Sequence, residues 1–202
     1  MPKVIHTNAK GLVQSTGSGF PYLDFVSSNQ NNLAAGVTIT DAQAETAAHG
    51  GTPTAGEILA ATLTTNAINV CEIDGAGGVG SVYLPAATAG AHVVCNLDTN
   101  GAGTNAQTFV ASDGTNESAA EAARQAAGGT AAVFAKGYVS GGQNNVSTLS
   151  DGADTKLTLT LHGTNSSCAA GSTFSFYCVE DGVWLVARYG AVHGTGAAMT
   201  FG

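Results

Sequence analysis

The chain has 202 residues and a mass of 19.9 kDa, enough for one domain with a core, or one domain plus an arm. Hydrophobic residues make up 44% and charged residues only 10%, against roughly 25% charged in ordinary globular proteins. With 28 Gly and a net charge of −8 from six Lys and Arg, the chain fits a β scaffold with many tight turns. It offers no basic stripe to displace counterions from phosphate, which excludes nucleic acid and anionic membranes as partners.

A surface so poor in charge suits a protein packed against copies of itself or against a large partner; an ordinary secreted β domain is the alternative. No apolar run reaches the roughly 18 residues of a membrane span. The start, Met1-Pro2-Lys3-Val4-Ile5-His6, has no apolar segment of the kind a signal peptide carries.

Residues 1–35 read as an extended N-terminal arm. Lys10 to Gly19 shows no periodicity, whereas Phe20-Pro21-Tyr22-Leu23-Asp24-Phe25-Val26 concentrates large apolar residues in a short extended run before the polar loop Ser27 to Asn32. Small residues with aromatic anchors suit a chain that orders along another protein. Leu12, Val13, Phe20, Tyr22, Leu23 and Phe25 are the candidate contacts. A first edge strand tucked under its own domain explains the stretch equally well.

Residues 36–202 read as the body. Gly36 to Thr40 is a short strand, and Asp41 to Ala48 is compatible with one or two helical turns capped by Thr40 or Asp41. After the break Gly51 to Gly56, strands are expected over Ile58–Thr64 and Ala67–Ile73, with Thr65-Asn66 as the turn. Gly75, Gly77 and Gly80 spell GxGxxG on paper. The strand-then-helix setting of a dinucleotide loop is missing, because Ser81-Val82-Tyr83-Leu84-Pro85 follows as a strand. The glycine run reads instead as a β-hairpin loop. Glu117 to Ala127, Ala-rich and stopped by Gly128-Gly129, reads as one surface helix of about three turns, with Ser118 or Asn116 as N-cap and Glu117 and Glu121 near its positive end.

The last quarter carries the clearest pattern. Leu157, Leu159 and Leu161 alternate with Thr158 and Thr160. In Thr173 to Val179, Phe174, Phe176 and Cys178 share one face, while Ser175, Tyr177 and Val179 share the other. Glu180-Asp181-Gly182 is a hairpin signal, Val183 to Tyr189 is the return strand, and Trp184 belongs to the core. These strands are expected to form one meander, the core sheet of an all-β domain: a β-sandwich or jelly-roll-like barrel.

Leu84-Pro85-Ala86-Ala87-Thr88-Ala89-Gly90, the alternating strand Ala91 to Asp98, the loop Thr99 to Asn105, the strand Thr108-Phe109-Val110-Ala111 and the Asp181-Gly182 hairpin into Trp184 together resemble structural proteins of tailed bacteriophage virions. The likeness is to trimeric capsid decoration (cement) proteins and to fibre β-domains, and it covers about residues 65–190. It implies an outer capsid protein that bridges capsomers, with the major capsid protein and its own copies, as a homotrimer, for partners. The alternative it leaves is a tail-fibre or head-fibre receptor-binding β-domain. The helix at Glu117–Ala127 departs from the fibre pattern.

No catalytic constellation emerges. His6, His49, His92, His162 and His193 are scattered, no Gly-x-Ser-x-Gly elbow is present, and Asp98, Asp113, Glu180 and Asp181 occupy turn positions. Asp151-Gly152-Ala153-Asp154 reads as a turn, with a Ca²⁺ loop as its alternative. Cys71, Cys95, Cys168 and Cys178 form no CxxC pair. They read as reduced core thiols, with a Cys168–Cys178 bridge as the alternative. No enzyme, cofactor or metal is expected. Met199 and Phe201 near the C-terminus read as a tail that docks on a neighbouring subunit or is disordered.

Overall fold

The computed structural model describes residues 3–7, 11–16, 34–48, 61–98, 103, 105–112, 117–139, 148–161, 168–190 and 199–202. Two compact units make up the chain, Met1–Ala34 and Ala35–Gly202. In the first, β1 (Lys3–Thr7) pairs antiparallel with β2 (Gly11–Thr16), placing Ile5 opposite Val13 and His6 opposite Leu12. The stretch around Gly11–Thr16, aperiodic to the eye, is therefore a strand.

The second unit is an all-β sandwich. Its elements are β3 (Ala34–Thr40), α1 (Asp41–Ala48), β4 (Ala67–Glu72), β5 (Gly80–Tyr83), β6 (His92–Leu97), β7 (Ala106–Val110), α2 (Ala119–Ala126), β8 (Val133–Phe134), β9 (Gly137–Val139), β10 (Thr148–Ser150), β11 (Lys156–Thr160), β12 (Thr173–Glu180), β13 (Val183–Tyr189) and β14 (Thr200–Phe201). One sheet has the order β3-β4-β6-β12-β13-β8 and the other β14-β11-β7-β5, while β9 and β10 pair separately. The two sheets meet through aromatic rings. Phe109 of β7 lies 5.1 Å from both Phe174 and Phe176 of β12, and Phe134 of β8 lies 5.3 Å from Phe201 of β14. Around them Trp184, Tyr83, Leu97 and Leu157 are fully buried; burying each such side chain contributes on the order of 2 kcal/mol.

Between residues 61 and 110 the chain winds between the sheets. β4 and β6 lie in the larger sheet, β5 and β7 in the smaller, and each strand pairs parallel with the next but one. Thr62 extends the pattern by bridging in parallel to Tyr83. Asn66 takes φ 54° at the first corner, a conformation Asn tolerates better than most residues. The Thr65-Asn66 turn is thus where the sequence places it, but it does not close a hairpin. The glycine run Asp74–Gly80 likewise connects the two sheets instead of closing a hairpin. The reason is in the pairing: β4 and β5 both find their partners one winding further along.

Two helices are present among the described residues. α1 is capped by Thr40, whose N–H donates to Gln43 Oε1 at 2.9 Å while its Oγ1 accepts the Gln43 N–H at 3.4 Å, a reciprocal capping box. α2 starts at Ser118, which accepts the Glu121 N–H at 3.1 Å. It is shorter than the sequence suggests and lies on the surface, with Ala119, Ala120, Ala122, Ala123 and Ala126 exposed and Glu121 alone fully buried.

The last quarter departs from a single meander. β12 and β13 pair antiparallel, with Cys178 opposite Trp184 and a bulge before Glu180. β11, however, belongs to the other sheet, between β7 and β14. Leu157, Leu159 and Leu161 each bury completely there, facing β12 across the core instead of beside it. The C-terminus is not a free tail: Met199 is buried, Phe201 pairs with Leu157, and Gly202 exchanges hydrogen bonds with Lys156.

Candidate interaction surface

The pairing of β4, β6, β12 and β13 fixes which side chains line the outer face of the larger sheet. Along one row stand Ile68, Val94, Ser175 and Ala187; along the next, His92, Tyr177 and Leu185; along a third, Val70, Asn96, Thr173 and Tyr189. None of these is an acid, a lysine or an arginine. Ile68 is 47% exposed, Leu185 43% and Tyr189 62%, so large apolar groups stand in solvent on a regularly paired sheet. The ring of His92 stacks on Tyr177 with centroids 4.3 Å apart and planes 9° apart, and Thr173 Oγ1 donates to Asn96 Oδ1 at 2.9 Å. Burial holds the His92 imidazole below its usual range, so the charge on this face is confined to its margin, where Glu72 follows Ile68 and Val70 on the same side of β4. Contiguous apolar surface of this kind on a folded protein marks a contact site.

At one end of the sandwich α2 is locked down by a buried ion pair. Glu121 accepts from Arg124 at 2.7 and 2.8 Å, from the Ala87 N–H at 2.9 Å and from Gln125 at 3.0 Å. Burial pushes this carboxyl up, but the bonds from Arg124, Ala87 and Gln125 outweigh it and hold it below the ordinary range. The neighbouring turn joins the same knot, because Asp181 Oδ1 accepts the Ala89 N–H at 2.8 Å and the Gly182 N–H donates to Ala87 O at 2.9 Å. A cleft of about 480 Å³ lies beside it, lined by Arg124, Ala127, Gly128, Gly129, Thr130 and Asp181. The Arg124 guanidinium is engaged by Glu121 and by the Thr130 carbonyl, so the cleft's cation is already committed to the fold.

The acidic turns are structural where they are described. In the Asp151–Asp154 loop, Asp154 Oδ2 accepts the Asp151 N–H at 3.0 Å and Asp151 Oδ1 accepts the Ala153 N–H at 2.8 Å. Among the described residues no group of three metal-ligating side chains converges, and no helix is long and apolar enough to cross a membrane. The four cysteines are free thiols, and all are buried. Cys178 Sγ donates to Glu180 O at 3.1 Å, and burial pushes the Cys168 thiol up to about 12.

Of the arm contacts named from sequence, Leu12 and Val13 lie in β2, with their side chains outside the described residues. Phe20, Tyr22, Leu23 and Phe25 lie outside the described residues altogether, as do His49, Asp113, His162 and His193. The sheet face itself was half visible. Tyr177 and Val179 stand opposite the core face of a strand whose other side is also apolar. Leu185 and Tyr189 complete the pattern on β13, and an apolar outer face on a strand pair is the signal that could have found it. Comparison with protein-family models, with curated proteins and with solved structures finds no match.

Proposed function

We propose that this chain is a structural protein of a tailed-bacteriophage virion: an outer capsid decoration, or cement, protein. Its partners are the major capsid protein and further copies of itself, arranged as a homotrimer. The protein assembles in the host cytoplasm and stays on the virion exterior, and no catalytic step is part of its role. The observation that carries the reading is the largely apolar outer face of the larger sheet, with Ile68, Tyr177, Leu185 and Tyr189 exposed in a chain only 10% charged. Such a face gains free energy when a partner covers it, and the scarcity of charge lowers the desolvation cost of burying it. The arm of residues 1–35, through Leu12, Val13, Phe20, Tyr22, Leu23 and Phe25, supplies the second contact, to capsid.

A second reading, a head-fibre or tail-fibre receptor-binding domain, is favoured by one feature. The stacked His92–Tyr177 pair beside Leu185 offers sugar rings an aromatic platform. Light scattering on a sizing column, with cosedimentation on undecorated capsids, tests the first reading. A species of three times 19.9 kDa that pellets with capsids, and that falls to the monomer mass in Leu185→Asp, is the expected result. A monomer that ignores capsids but is retained by host-surface glycan would establish the second reading and end the first.

A further inference from the structure

Cys71 and Cys95 occupy neighbouring parallel strands of the larger sheet. Cys71 stands opposite Leu97 and Cys95 opposite Asn69, so the two are diagonal neighbours, and both point into the core, fully buried. Their sulfurs are 2.6 Å apart. That is closer than two thiols rest in ordinary packing or in a hydrogen bond, and reaching the roughly 2.0 Å of a disulfide takes a shift of only about 0.6 Å. The strands bearing them are not adjacent in sequence: β5, in the other sheet, lies between them. A bond here would tie one winding of the 61–110 segment to the next. Burial first, then Cys71 and last Cys168, raise the Cys95 thiol well above its ordinary range. In the folded molecule Cys95 is thus a poor nucleophile and both sulfurs are shielded from solvent, so closure belongs to the folding chain, before the core is sealed.

We infer that Cys71 and Cys95 form a disulfide that staples β4 to β6 when the chain folds in the presence of a small-molecule disulfide oxidant. One cysteine thiolate attacks the oxidant RSSR, giving a protein–S–S–R mixed disulfide and releasing one RSH. The second thiolate attacks the protein sulfur of that mixed disulfide, forming Cys71–S–S–Cys95 and releasing the second RSH. The two electrons pass to the oxidant and the two protons end on the released thiols, so the chain loses two hydrogens. Cys168 and Cys178 stay reduced.

The test is a refolding experiment on the full chain. Reduced, denatured protein is refolded with oxidised glutathione. The fraction that coelutes with untreated native protein is collected, denatured without reductant, alkylated and mapped by mass spectrometry. The expected result is two alkylated cysteines of the four present, Cys168 and Cys178, with the peptides bearing Cys71 and Cys95 joined. Four alkylated cysteines, a link that includes Cys168 or Cys178, a glutathione adduct in place of a link, or no native-eluting oxidised material each overturn the inference.

Discussion

The β12–β13 hairpin and the winding segment of residues 61–110 contribute to the same six-stranded sheet but are held there by different forces. The hairpin is antiparallel and sequence-local. Its register runs from Thr173 opposite Tyr189 to Cys178 opposite Trp184, and a two-residue turn closes it. The winding segment has no such closure. Ile68 pairs with Val94, and Tyr83 with Val110, each across a whole excursion to the other sheet. Parallel pairing costs more chain to close, and here buried side-chain amides support it. Asn69, fully buried, accepts the N–H groups of Val37 and Thr64 at 3.2 and 2.9 Å, and donates to Thr64 O and Val94 O at 3.0 Å each. Gln107 donates to Gly78 O and Asn105 to Gly75 O, both at 3.0 Å. Backbone ladder and turn secure the hairpin; amide clamps between windings secure the coil.

Removing a clamp should therefore have the larger effect. Asn69→Leu keeps the volume but leaves part-buried backbone groups of Val37, Thr64 and Val94 short of partners, a loss of about 3 kcal/mol in unfolding free energy, read from urea denaturation. If Asn69→Leu costs no more than an ordinary surface change, the clamps are incidental and the contrast between the two regions fails. The hairpin has a milder weak point. Gly182 holds φ at 86°, where a Cβ costs about 1–2 kcal/mol, and an added Cβ would sit 3.2 Å from Thr130 Oγ1. Gly182→Ala should lower stability by that amount without changing the slope of the unfolding curve. A drop as large as that of Asn69→Leu would show that the turn, not the ladder, holds the hairpin.

The same contrast decides what could be read in advance. The hairpin lies open in the sequence because its information is local: alternation in Phe174-Ser175-Phe176-Tyr177-Cys178, Asp181-Gly182 at the turn, and Val183–Tyr189 as the return. The strands of the coil are also visible one by one, in Ala67–Glu72 and His92–Leu97. Their partners are not, since nothing near Cys71 says that it pairs with a strand beyond β5. Leu157-Thr158-Leu159 shows the same limit, because alternation marks a half-buried strand but not which sheet it joins. From sequence Glu121 is a favourable charge at a helix start, while its burial depends on Arg124, Ala87 and Gln125 arriving together. As for the interaction face, Tyr177 and Val179 were visible on the outer side of β12. Their union with Ile68, His92, Leu185 and Tyr189 follows from pairings the sequence does not announce.

The seam between the two regions gives the smallest predicted effect and the finest test. His92 belongs to β6 of the winding segment and stacks on Tyr177 of the hairpin, while its carbonyl accepts the Asn66 N–H at 2.6 Å. Burial lowers its pKa from the ordinary 6.5. A histidine with a depressed native pKa resists protonation when folded and accepts it when unfolded, so the unfolded chain binds the extra proton as pH falls. Its contribution to stability is complete above about 6.5 and declines as pH drops from there through the lower native value. Glu121, whose carboxyl is held below its ordinary 4.5, keeps its own contribution in full above that value and loses it as pH falls through its lower native one. The urea midpoint of the wild type should fall between pH 7 and pH 5, and that of His92→Gln, which keeps a polar planar group at the seam but cannot titrate, should stay level over the same interval. A parallel fall in both proteins would mean that the stack is indifferent to charge and that the seam is held by the backbone pairing of β6 with β12 alone.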